Sequence, residues 1–135
     1  MRDKPSAEKL LAAALAFLNE TAMPQLSGHA AFHARVTANV LDILARELEL
    51  APGFNRAETA RLESLLGESG SLEALNRKLC DKIATGEMDL SNDRLKTHLI
   101  KTTMGKLAID QPRYQGYKTA KANGWPEEDS GETIK

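Results

Sequence analysis

Three histidines, one cysteine and two short arginine-bearing segments are the residues of this chain whose type and spacing could do chemistry. On a wheel of about 100° per residue, the stretch after Gly28 places Phe32, Val36, Val40, Ile43, Leu44 and Leu48 on one broad apolar arc. His33 falls near the middle of that arc, so the wheel predicts a buried imidazole. A buried neutral imidazole must find a hydrogen-bond partner, and the same setting would suit a general base or ligand. With no catalytic partner in view, a satisfied core histidine is the favoured reading. His29 and His33 have the i, i+4 spacing that can bring two imidazoles to one metal. No glutamate follows in the zincin order, and His98 is assigned to an outer helix face, so no metal site is expected.

Arg35, Asn39, Asp42 and Arg46 run along another edge of the same helix at spacings of four, three and four residues. Such a strip is ordinarily a solvated face with i, i+3 and i, i+4 pairing. Its functional reading is a site for an anion or a partner beginning at Arg35. Ala34, Ala38 and Ala45 lie beside it, where small side chains let another helix approach closely, in this chain or in a second copy. In Lys106-Leu-Ala-Ile-Asp-Gln-Pro-Arg-Tyr the chain leaves a helix and turns. Asp110 and Gln111 suit backbone bonding at the helix end, and Arg113 and Tyr114 fold back over the bundle, the functional alternative being that Arg113 grips a phosphate or carboxylate. The candidate binding residues are therefore His33, Arg35, Asn39, Arg113 and Tyr114. No residue is assigned as catalytic and no cofactor is called for.

Several chemistries lack the residues that define them. There is no G-x-x-x-x-G-K-[ST], no G-x-G-x-x-G and no G-x-S-x-G. Cys80 has no histidine beside it and reads as a small packing residue. As the sole cysteine it excludes an intramolecular disulfide, which fits a reducing compartment, and the expected location is the cytoplasm. Leu10 to Leu18 imitates a leader, with Arg2, Lys4 and Lys9 before it. Asp3, Glu8 and Glu20 spoil the pattern, and nine residues do not span a bilayer, so this stretch reads as a helix and no membrane is expected.

The elements that must position these residues are helical. Aromatics make up 4% of the 135 residues, and no alternating β-branched run occurs. Ser6 caps a first helix that Pro24 ends. A second runs from His29 to about Leu50, where Pro52 and Gly53 stop it. Asn55 caps a short third helix carrying Ala57, Leu62, Leu65 and Leu66, and Gly67 closes it in the left-handed conformation. Ser71 caps a fourth, with Leu72, Leu75, Leu79 and Ile83 on one stripe. Asn92 or Ser91 opens a fifth, with Leu95, Leu99, Ile100, Met104 and Leu107 inward and Pro112 at its limit. The expectation is one all-α domain over 1–117, an irregular bundle of about five helices. A polar, flexible tail follows over 118–135, with Trp125 held loosely or docked. Eighteen basic and nineteen acidic residues leave a net charge of -1, which attracts no nucleic acid.

Two stretches read together resemble a known family. They are Phe32-His-Ala-Arg-Val-Thr-Ala-Asn-Val-Leu, and Leu75-Asn76 through Leu79-Cys80 and Ile83, followed by Gly86-Glu87, His98-Leu99, Thr102-Thr103 and Lys106 to Tyr114. They are similar to a family of small bacterial all-helical proteins with a domain of unknown function, over about Lys4 to Tyr117. Members are encoded beside phosphotransferases of the aminoglycoside or choline kinase type and beside acyl-CoA dehydrogenases. The resemblance implies an accessory, protein-interaction role with a partner of one of those kinds, and carries no catalytic residue over to this chain. The competing expectation is a small-molecule binder or enzyme for an anionic metabolite such as an acyl-CoA, using Arg35 and Arg113 with His33 close by.

Overall fold

The computed structural model describes residues 4–125, and helices account for nearly all regular structure there, with no strand among the described residues. Five α-helices follow in order: α1 Ala7–Ala16, α2 Gly28–Leu66, α3 Leu72–Ala84, α4 Asp93–Asp110 and α5 Gln115–Ala122. The expected all-α class and helix number are observed, but the elements are not divided as anticipated. The chain separates into two compact units, Met1–Pro52 and Gly53–Lys135.

Local chemistry explains most of the boundaries. The Ser6 hydroxyl accepts from the Lys9 amide at 3.5 Å and opens α1. Beyond α1 the chain continues through a π-helical stretch, Phe17–Ala22, and a 3-10 turn, Met23–Gln25, that contains Pro24. Ser71 accepts from the Ala74 amide at 3.2 Å to start α3, and Asn92 accepts from the Leu95 amide at 3.1 Å to start α4. Each oxygen satisfies one of the donors that a helix start leaves without an intrahelical acceptor. At the end of α2, Gly67 takes φ +72 and its amide bonds the Glu63 carbonyl at 2.9 Å, as the sequence predicted.

The break expected at Pro52 is absent, since α2 runs through it for 39 residues. Proline's fixed φ is itself helical. What it removes is one amide donor, at a cost on the order of 3 kcal/mol in a helix interior. Gly53 is not among the glycines with positive φ, so nothing turns the chain there. Asn55 is not a cap, and its carbonyl accepts from the Thr59 hydroxyl at 2.8 Å inside the helix. The Pro-Gly pair therefore marks the division between the units and not the end of a helix. At the other end, α5 carries the helical chain past 117 to Ala122. The remainder of the proposed tail, from 126 onward, lies outside the described residues.

The first unit contains α1, the π-helical and 3-10 stretches after it, and the N-terminal part of α2, which follows Leu26 and Ser27. Its buried apolar residues are Ala34, Ala38 and Ala51, while Leu11, Leu15, Leu18 and Leu41 are half-buried. This corrects the predicted orientation of α2. The edge through Ala34 and Ala38 faces inward, and Phe32, Val36, Val40, Leu44 and Leu48 are exposed, while Ala51, near the end of the unit and about 20° from Val40 on the wheel, is buried on the ridge side.

The second unit has the larger core. Leu62 of α2, Leu75 and Leu79 of α3 and Leu95 of α4 are buried together, with Leu65, Leu66, Leu72 and Met88 packed against them. Ile83 and Leu99, both expected inside, are exposed. The inward line of α4 is Leu95, His98, Thr102, Gly105 and Ile109, all buried or half-buried. Their spacing of three and four residues keeps them on one face. Arg94 donates to the Ser64 hydroxyl at 2.6 Å and to the Ser64 carbonyl, tying the start of α4 to the last turn of α2.

Candidate functional site

Of the five residues singled out from sequence, His33, Arg35 and Asn39 lie on α2 in the first unit and are exposed. His33 is therefore not the buried histidine that the wheel predicted. The wheel placed it correctly at the middle of the apolar arc, but the arc faces outward. Its ring meets Phe32 edge-on, centroid to centroid 5.5 Å, and its carbonyl accepts from the Thr37 hydroxyl at 2.9 Å. Arg113 and Tyr114 lie in the turn between α4 and α5 in the second unit and are also exposed. There the Gln111 amide bonds the Leu107 carbonyl at 2.9 Å and the Tyr114 amide bonds the Gln111 carbonyl at 3.0 Å. The Tyr114 ring folds over Gly116, where a Cβ would stand 2.6 Å from the ring.

The second unit assembles a different group. His98 of α4, the histidine assigned to an outer face, is 3% exposed, and its Nδ1 has no hydrogen-bond partner. Around it, the Asn76 amide on α3 donates to the Glu58 carboxylate on α2 at 2.9 Å. Arg61, one turn further along α2, donates to the Thr102 hydroxyl on α4 at 3.4 Å. Three helices thus bring a carboxylate, a guanidinium, an amide, a hydroxyl and an imidazole into one half-buried polar layer beside the leucine core.

The charges in this layer act on one another. Burial, then the positive charge of Arg61, holds the His98 imidazole below its ordinary value, with Glu58 opposing. Burial likewise draws the Arg61 guanidinium down, against the pull of Glu58. A neutral imidazole beside a half-buried guanidinium can take a hydrogen bond and a negative charge from one small ligand, or brace the three helices. Among the described residues, no three His, Cys, Asp or Glu side chains are grouped to hold a metal. None of the described helices is long and apolar enough to cross a membrane. Cys80 is exposed and unbridged.

Sequence reading missed His98 because the inward face of α4 is written with a histidine, a threonine and a glycine between Leu95 and Ile109. The three-and-four spacing was the available signal. The more hydrophobic Leu99 and Ile100 drew the assignment away from it.

Both residue groups and the helices α2, α3 and α4 lie within one family match. Residues 24–114 match DUF6285, a domain of unknown function. The chain belongs to the DUF6285 family. The DUF6285 match begins after α1, well inside the Lys4 to Tyr117 span over which the resemblance was drawn, and ends on Tyr114. It takes in His33, Arg35, Asn39, Arg113 and the entire His98 layer. No curated protein and no solved structure matches the chain.

Proposed function

We propose that this DUF6285 chain is a protein-interaction module of the bacterial cytoplasm, without a reaction of its own, that serves a phosphotransferase-like or acyl-CoA dehydrogenase-like partner. One observation carries the interaction reading: Phe32, Val36, Val40, Leu44 and Leu48 of α2 in the first unit are exposed while Ala34 and Ala38 are buried. Large contiguous apolar faces on a folded chain mark surfaces made for association. The partner class comes from the family resemblance, and the polar strip at Arg35 and Asn39 of the first unit and, separately, the Arg113–Tyr114 turn of the second offer polar contacts. Co-expression of the chain with a neighbouring phosphotransferase or dehydrogenase tests the reading by co-purification. A stoichiometric complex with either supports it, and separate elution of both overturns it.

The His98 layer favours a second reading, a binder of an anionic metabolite such as an acyl-CoA. A 3%-exposed imidazole with an unpartnered nitrogen next to Arg61 is a costly arrangement to maintain for packing alone. Titration calorimetry with coenzyme A thioesters distinguishes the two. Saturable heat that is lost in His98→Gln supports the binder, and no heat at millimolar ligand sets it aside.

A further inference from the structure

The outer face of α2 in the first unit has a composition that fits itself. Phe32, Val36, Val40, Leu44 and Leu48 are 54, 46, 49, 48 and 44% exposed, a ridge of side chains four residues apart. Leu10, Phe17 and Leu26 of the same unit are exposed as well. Taking about half of the roughly 150 Å² that such a side chain exposes, the five ridge residues show on the order of 400 Å² of apolar surface. That is the size of the largest apolar patch on a monomer, ~300–600 Å² and often functional, and about half of the ~800 Å² each partner gives to a standard interface. The buried apolar residues described in this unit are alanines, which make little core, and a second copy laid against the ridge would bury its larger side chains.

The polar residues on this face settle which occupant fits. With Val40 as origin and about 100° per residue, His33 stands at about +20° and Glu47 at about −20°, Val36 at about −40° and Leu44 at about +40°. His33 and Glu47 are each seven residues from Val40, about 10.5 Å along the axis in opposite directions. Both are exposed. One end of the face thus carries an imidazole and the other a carboxylate, at equal distances from a central valine. Turning a second copy end for end about Val40 lays each imidazole beside a carboxylate, whereas a parallel copy would set Glu47 against Glu47.

We propose that two copies of the chain pair antiparallel through this face, Val40 against the Val40 of the second copy, with His33 of each copy donating to Glu47 of the other. This pairing rests on the interaction-module reading and names one of its partners. The same face cannot be both covered by a copy and open to another protein, so the Arg35–Asn39 strip beside it remains for the heterologous partner.

The test uses the full chain in sedimentation-velocity runs across concentration. Wild type should run as a dimer. Val40→Glu and Val40→Lys should each keep the helical circular-dichroism signal and weaken the dimer roughly 30-fold or more, because each sets like charges together at the two-fold. An equimolar mixture of the two should restore the dimer. A wild type that stays monomeric, or a Val40→Glu chain that dimerises as before, overturns the proposal. Direction is read by disulfide trapping in a Cys80→Ser background. His33→Cys mixed with Glu47→Cys should cross-link, and His33→Cys linking to itself instead would overturn the antiparallel arrangement. Co-purification with the phosphotransferase or dehydrogenase, run on Val40→Glu, keeps the readings apart. A wild-type monomer that still captures its partner sinks only the self-pairing, and a dimer that captures neither sinks only the accessory role.

Discussion

The ring of Phe54 lies over Gly105, its Cγ 3.3 Å from the point that a Cβ on Gly105 would occupy. Within the second unit this ring of α2 packs against α4, and a glycine permits it. Gly105→Ala should therefore gain helix propensity, about 1 kcal/mol, and lose most of it to crowding against the ring. In a Phe54→Ala background the crowding is gone and the same substitution should stabilise by about the full 1 kcal/mol. Denaturant midpoints of the four chains give the coupling. Additive effects would show that the ring moves aside without cost.

His98 predicts an acid-sensitive second unit. Its ordinary value is 6.5 and the fold lowers it, so below about 6.5 the unfolded chain binds a proton that the folded chain refuses. The stability contributed by neutral His98 is complete above that value and declines as pH falls toward the lowered folded value. Urea midpoints taken between pH 7.5 and 5 should drop with acid in wild type and change less in His98→Gln. Equal slopes in both chains would sink the assignment.

Leu62 is fully buried, at 0% exposure, in the centre of the leucine cluster. Leu62→Ala should cost about 2 to 5 kcal/mol, the range for a large-to-small change in a packed core. Thermal melts followed at 222 nm read this directly. A loss under 1 kcal/mol would mean the cluster relaxes into the space.

Arg35 and Arg113 are exposed, and exposed charges contribute only about 0 to 1 kcal/mol to folding. Arg35→Ala and Arg113→Ala should melt within a few degrees of wild type. If either grips a carboxylate or phosphate on the partner, binding should weaken by about 2 to 5 kcal/mol, measured by calorimetry with the co-purifying protein. Variants that unfold while the folded remainder binds normally would make these residues structural.

Helix starts were legible because a cap is a local event: Ser6, Ser71 and Asn92 each bond an amide three residues on. Pro52 was misread because a missing donor looks the same in sequence whether a helix ends or tolerates the loss. The arc through Phe32 and Leu48 was located correctly and assigned to the wrong side. Apolarity ranks valine and leucine above alanine, but close helix approach selects the small residue, so the seam went to Ala34 and Ala38. That inversion moved His33 out. His98 moved in for a related reason, since its face of α4 contains few large side chains and gives little hydrophobic signal.

Proline 52 leaves the carbonyl of Leu48 without its intrahelical amide donor, in the middle of a helix whose two parts belong to different compact units. A gap in the bonding ladder at that place decouples the opening of the two parts, because helix propagation across it adds no bond. Amide hydrogen exchange should therefore sort the residues of α2 into two protection classes, one before position 52 and one after it. The later class should exchange only with global unfolding of the leucine core, and the earlier one through a lower-energy opening of its own. A single 39-residue helix would then behave as parts of two foldons. Pro52→Ala, by restoring the donor, should bring their exchange rates together.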